Sequence, residues 1–221
     1  MIVSCTFESS KRFDGQRLVK LLAKLSQSGW SIETGAASAA VGYLTDEAAK
    51  SHRYDFERYG SFEVDELPRS FEFLSIKMLA GIESRDAFHV DLILDNTAGI
   101  VGFDIDSDQI LSPALEEERL NMQRVAHLGV GLWKMVGPCR GIIGVEIDAH
   151  SEAAGLDWTY WPKGSLEQAN QQGLAELRCS AYLILDVEGV GSFIAATPLL
   201  QPPLGDEYER TTKLLRCTFG E

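Results

Sequence analysis

Between residues 70 and 107 stand three runs of strand length, "SFEFLSIKMLAG", "DAFHVDLILDN" and "AGIVGFDIDS", and in the last two apolar and polar side chains largely alternate. Successive strand side chains point to opposite faces, so this pattern predicts strands with one apolar and one polar side. The last two runs meet around Asn96 to Gly99, a turn-like composition, and an antiparallel meander is the simplest arrangement. A different period marks the helices. After a candidate strand "MIVSCTFESS", the segment "DGQRLVKLLAKLSQSGW" repeats Leu18, Leu21, Leu22 and Leu25 at helical spacing, with Asp14 able to cap its start and Gly29 to end it. A longer helix is predicted after Ser112 as cap and Pro113 in the first turn, with Glu116 and Glu117 near the positive end of its dipole. Leu115, Met122, Val125, Ala126, Leu132, Trp133 and Val136 mark its apolar face, and Gly137 and Pro138 end it.

The remaining segments follow the same logic. "ETGAASAAVGYL" suits a strand or a close-packed loop, and Thr45 or Asp46 can cap a short polar helix through "EAAKSHRYDFERYG". "RGIIGVEIDAH" reads as a strand, "GLDWTYWPKG" as an aromatic loop, and Ser165 with Gln168 as a capping box opening a helix "LEQANQQGLAEL". "CSAYLILDVEGVGSFIAAT" reads as two strands turning at Glu188 to Gly191, and the tail from Pro198 as loop before a short element near Leu214 to Phe219. Strand-helix-strand units recur without a convincing internal repeat.

Four of these strands separate by chemistry into two lists. Val90, Leu92 and Leu94, then Val101, Phe103 and Ile105, then Ile143, Val145 and Ile147, then Leu183, Leu185 and Val187 form the apolar lists, expected to lie against the helices. The opposite lists contain His89, Asp91 and Asp95; Asp104 and Asp106; Glu146, Asp148 and His150; and Asp186 and Glu188. The expected fold is therefore α+β, a single domain over residues 1–221, with an antiparallel or mixed sheet, helices packed mainly on one face, and an acidic other face.

Composition supports a packed domain and narrows the partners. Of 221 residues 45% are apolar and 24% charged, the balance of a globular protein with a sizeable core. With 20 Lys and Arg against 33 Asp and Glu, the formal net charge is −13, which repels nucleic acid and anionic lipid and attracts basic proteins. Cys5, Cys139, Cys179 and Cys217 form no C-x-x-C and suit buried free thiols in a reducing cytosol. The start "MIVSCTFESSKRFDG" lacks a basic n-region, and no segment approaches ~18 uncharged apolar residues, so a cytoplasmic protein without a membrane span is expected.

No motif names a reaction. Asp104, Asp106 and Asp108 imitate a calcium loop, but Gln109 replaces the required glycine and Leu115 the required glutamate, while Asp108 belongs to the turn before the long helix. Gly129 and Gly131 fall inside that helix and suit close packing rather than dinucleotide binding. His52 and His127 have no catalytic partner in local sequence. Phosphate-loop, serine-hydrolase and zincin motifs do not occur.

The expected function is accordingly binding rather than catalysis, with no cofactor: an inhibitor or immunity-type antidote that docks a basic protein partner. Its expected contacts are Asp91, Asp95, Asp104, Asp106, Glu146, Asp148, Asp186 and Glu188, helped by Trp158, Tyr160 and Trp161, although such an aromatic loop can also fold back over the core. A metal-dependent hydrolase using His89, Asp91, Asp104, Asp106, Asp148 and His150 is the alternative, since imidazole and carboxylate two residues apart share a strand face. A structural or oligomerisation domain with an incidental acidic surface is the third reading.

Overall fold

The computed structural model describes residues 1–9, 11–13, 15–32, 39–43, 55–59, 73–81, 87–137, 139–145, 158–163, 172, 175 and 183–195. The elements are β1 (Ile2–Glu8), α1 (Gly15–Gln27), β2 (Trp30–Ile32), β3 (Ala39–Tyr43), β4 (Asp55–Tyr59), β5 (Phe73–Ala80), β6 (Phe88–Asp95) and β7 (Ile100–Asp106). They continue with α2 (Leu115–Val136), β8 (Gly141–Val145), β9 (Trp158–Pro162), β10 (Leu183–Val187) and β11 (Gly191–Ala195). The chain divides into two compact units, one of Glu8–Asp106 and one of Met1–Phe7 with Ser107–Glu221. Each is α+β, with every strand pair given below antiparallel.

In the Glu8–Asp106 unit the strand order is β7-β6-β5-β3-β4, with β2 also pairing β5. Strands β6 and β3 flank β5, and β2 lies beside β3 on the same edge, opposite Met78 to Ala80. The predicted alternation is realised in β6 and β7, and β5 shows the same burial alternation. Leu74, Ile76, Met78 and Ala80, then Phe88, Val90, Leu92 and Leu94, then Val101, Phe103 and Ile105 are all buried, none more than 6% exposed. Helix α1 buries Leu18, Leu21, Leu22 and Leu25 as its spacing predicts, and Gly29, at φ 87°, lets the chain leave the helix. It leads directly into β2, whose Trp30 meets Phe103 edge-on at 5.6 Å. A buried side chain of this size contributes about 1.5–3 kcal/mol, so this face is the main source of the unit's stability.

The β6–β7 turn is fixed by its own side chains. Both Thr97 and Ala98 donate their N–H to one Asp95 carboxylate oxygen at 2.8 Å, and Gly99 adopts φ 67°. Asn96 then accepts the Phe13 N–H at 2.7 Å and donates to the Phe13 carbonyl at 2.9 Å. A side-chain amide thus clamps the segment entering α1 as a neighbouring strand would.

In the other unit the order is β10-β11-β9-β8-β1, and α2 lies on one face of this sheet. Tyr160, fully buried in β9, donates its hydroxyl to the Ala126 carbonyl at 3.1 Å. Its ring packs against Phe7, Trp133 and Phe193 at 4.8, 5.3 and 4.6 Å. Gly129 makes this approach possible, because a Cβ there would fall 1.9 Å from the Tyr160 hydroxyl; Gly131 has nothing within 4 Å. Only the first of these glycines serves the close packing expected of both.

Three local expectations are corrected. The aromatic "loop" is strand β9, whose two faces are both covered, so its sequence shows no polar alternation. Residues 55–59, assigned to a polar helix, form edge strand β4, because pairing with β3 supplies a ladder that outweighs local propensity. Helix α2 starts at Leu115 with Ala114 at the cap position and no side-chain cap. Ser112 instead accepts the Ala114 N–H at 3.2 Å and donates to the Glu117 carboxylate at 2.6 Å, fastening the turn before the helix rather than the helix itself. Asp14, Pro138, Ser165, Gln168 and the tail from Pro198 lie outside the described residues, as do Thr45, Asp46 and, apart from helical residues 172 and 175, the helix expected from Leu166.

Candidate functional site

The polar side of β5, β6 and β7 is set by two registers. Lys77 pairs with Asp91 across β5 and β6, and Asp91 pairs with Asp104 across β6 and β7, giving one row of three charged residues. In the next row His89 lies opposite Leu79, with Asp106 on the same face of β7. In the other direction Ile93 stands between Ser75 and Gly102, then Asp95 between Phe73 and Ile100. Lys77, His89 and Asp106 are exposed, while Asp91, Asp95 and Asp104 are half-buried. The face is therefore zoned, charged at the Asp91 and His89 end and, towards the β6–β7 turn, apolar except for Asp95.

Two carboxylates directly opposite on neighbouring strands have Cβ atoms about 4.5–5.5 Å apart and repel when ionised. On a half-exposed face such a like-charge pair costs on the order of a few tenths of a kcal/mol to 1 kcal/mol. Lys77 offsets part of this from one side of Asp91. The register sets Asp91 and Asp104 side by side, so both carboxylates attract a cation that approaches this face. Asp95 has a different task, since its carboxylate organises the turn.

The other expected contacts are not part of this row. Asp186, exposed on β10, accepts a hydrogen bond from the Ser192 hydroxyl, and Glu188 is exposed in the β10–β11 turn; both belong to the other unit. There the same side of the sheet carries buried Ser4, Thr6, Thr159 and Ser192 among Ile142, Trp161 and Ile194, with Asp186 opposite Ser192 on β10. The Arg140 guanidinium lies 5.3 Å over the Trp161 ring. Tyr160 is fully buried and Trp161 only 6% exposed, so both rings are core material and not surface anchors; Trp158 opens β9. Glu146, Asp148 and His150 lie outside the described residues.

Burial pushes the Tyr160 phenol well above its ordinary pKa, and Cys5 beside it adds to the effect. The Cys5 thiol points at the hydroxyl from 4.0 Å. This pair is sealed under α2 and faces no solvent. Cys5 and Cys139 are free thiols. Exposed His127 turns its Nδ1 to the Gln123 carbonyl one helical turn back, at 2.7 Å.

Among the described residues no three His, Cys, Asp or Glu side chains are grouped to hold a metal ion, and no helix is long and apolar enough to cross a membrane. Lys77 is the member of the charged row that the two-list reading passed over. Its signal was present in "FLSIKMLA", where Phe73, Ser75, Lys77 and Leu79 form the second list of β5. No protein-family model and no curated protein matches this chain.

Proposed function

We propose that this protein acts by binding, as a cytoplasmic inhibitor or antidote that docks a basic protein through the polar side of β5, β6 and β7. In this reading α1 covers the apolar reverse, because its buried leucines and the β2 tryptophan that follows it need that surface. The observation that carries the proposal is the register placing Asp91 opposite Asp104 on a half-exposed face, flanked by His89 and Asp106. A partner lysine or arginine seated between the two carboxylates gains their attraction and removes their mutual repulsion. The net charge of −13 extends the same field outward and accelerates encounter with a basic surface. Free thiols at Cys5 and Cys139 suit a reducing compartment.

The test is capture from the source lysate by immobilised wild type and by an Asp91→Lys/Asp104→Lys variant, with circular dichroism establishing that the variant is folded. Capture of a basic protein by wild type alone is the expected result. A partner retained equally by both overturns the assignment of this face.

A further inference from the structure

We propose that the outer face of α1 is a second docking surface, whose occupant is the polar side of β5, β6 and β7 on another copy of this chain. The proposal rests on the reading that this polar side receives cations, and it names one source of them.

The stretch from Lys11 to Ile32 contains Lys11, Arg12, Arg17, Lys20 and Lys24 against the single acid Asp14, a net +4, which leaves −17 on the rest of a chain whose total is −13. Helix α1 itself contains no acidic residue. Its leucines turn inward, leaving Lys20 and Lys24 exposed one turn apart beside exposed Val19. The Arg17 guanidinium stacks 4.0 Å over the Phe13 ring and donates to the carbonyls of Lys11 and Arg12. Asn96 holds the Phe13 backbone from the other side. The backbone carrying exposed Lys11 and Arg12 is thus fastened to the helix that carries Lys20 and Lys24. A cationic patch ordered in advance loses little conformational freedom when it docks.

Three anionic surfaces compete as occupants. A lipid bilayer demands an apolar helix face free to insert, and the α1 leucines are already committed to the core. A nucleic acid would bring its phosphates against the −17 carried elsewhere on the chain. The polar sheet face of a second copy fits in charge and spacing. Asp91 and Asp104 lie opposite each other with Cβ atoms about 4.5–5.5 Å apart, and lysines one helical turn apart have Cβ atoms about 5–6 Å apart. Two lysines can therefore meet two aspartates. Because the two surfaces are different parts of the same unit, the contact is head-to-tail and can be repeated.

Net charge gives this contact a distinctive salt dependence. At ~0.01 M salt the Debye length is about 30 Å and whole copies of charge −13 repel. At ~0.1 M it is about 10 Å and local patches dominate, whereas at ~1 M it is about 3 Å and the patches are screened too. Association therefore peaks at the intermediate salt, unlike capture of a basic partner, which falls steadily as salt rises.

Sedimentation velocity of the full chain over a wide concentration range at these three salts tests the proposal. The expected result is concentration-dependent association near 0.1 M, lost in Lys20→Glu/Lys24→Glu and in Asp91→Lys/Asp104→Lys, with thermal melts showing that both variants are folded. An equimolar mixture of the two variants associates again, since Lys20 and Lys24 of one meet Asp91 and Asp104 of the other and the introduced glutamates face the introduced lysines in the reverse contact. A wild type that stays monomeric at all three salts, association that survives Lys20→Glu/Lys24→Glu, or a mixture that does not associate overturns the proposal. Lys20→Glu/Lys24→Glu leaves the polar sheet face intact, so capture of a basic partner by that variant reports separately on the function proposed above.

Discussion

Gly129→Ala and Gly131→Ala make the same chemical change two residues apart on α2, and the structure assigns them opposite signs. Helix propensity favours alanine over glycine by about 0.8–1 kcal/mol at either position, so that contribution cancels between them. At Gly131 nothing lies within 4 Å of the added methyl, and the variant should gain most of the propensity. At Gly129 the methyl would sit 1.9 Å from the Tyr160 hydroxyl, 2.8 Å from its Cζ and 3.0 Å from the Cys5 sulfur. The ring cannot swing away, because Phe7, Trp133 and Phe193 hold it on three sides. Overpacking costs about 1–3 kcal/mol and losing the hydroxyl's bond to Ala126 about 1 more, so the two variants should differ by about 2–4 kcal/mol. Urea unfolding, read as a change of midpoint at constant slope, measures the difference. Adding Tyr160→Phe to Gly129→Ala should recover part of the loss, since the nearest atom is removed while Cζ and the Cys5 sulfur remain close. Equal stabilities for the two alanine variants would refute the packing described for α2.

Phe103→Ala should cost about 3–5 kcal/mol in the same assay because the ring is fully buried, whereas Asp104→Asn, its neighbour on the polar side, should be neutral or stabilising by a few tenths through relief of repulsion from Asp91. Asn96→Ala should cost about 1–3 kcal/mol by leaving the Phe13 backbone groups without their partners, and should speed hydrogen exchange at the Phe13 amide; unchanged protection there would contradict the clamp. Burial raises the Tyr160 pKa above 10.0, so its neutral form stabilises the fold fully below that pH. The contribution is lost as pH rises from there through the folded value, at about 1.4 kcal/mol per pH unit. Alkaline melts should show this loss in wild type and a smaller one in Tyr160→Phe.

The parts of this fold legible in the sequence are those where one side is buried and the other wet. In β6, Phe88, Val90, Leu92 and Leu94 alternate with His89, Asp91 and Asp95, and solvent on one side keeps the two chemistries apart. Strand β9 lacks that contrast. Tyr160 faces α2 and Trp161 is buried on the opposite side, so aromatic residues next to Pro162 and Gly164 resembled a loop. Among the described carboxylates of the expected surface, Asp91 and Asp104 alone are cross-strand partners, because alternation assigns a face but not a neighbour; register and strand order come from tertiary pairing. Lys77 shows the same gap, as its position beside Asp91 depends on how β5 aligns with β6.

The proposed attraction of cations to the Asp91 and Asp104 side of the sheet is tested most directly by the association rate, at two salt concentrations, of any basic partner that the lysate capture yields. Long-range attraction sets encounter and short-range packing sets dissociation. Wild type should therefore associate several-fold faster at low salt than at ~0.15 M, where the field reaches only about 8 Å. Asp91→Lys/Asp104→Lys should associate slowly at both, with less dependence on salt. An association rate indifferent to salt and to the charge reversal would contradict the account.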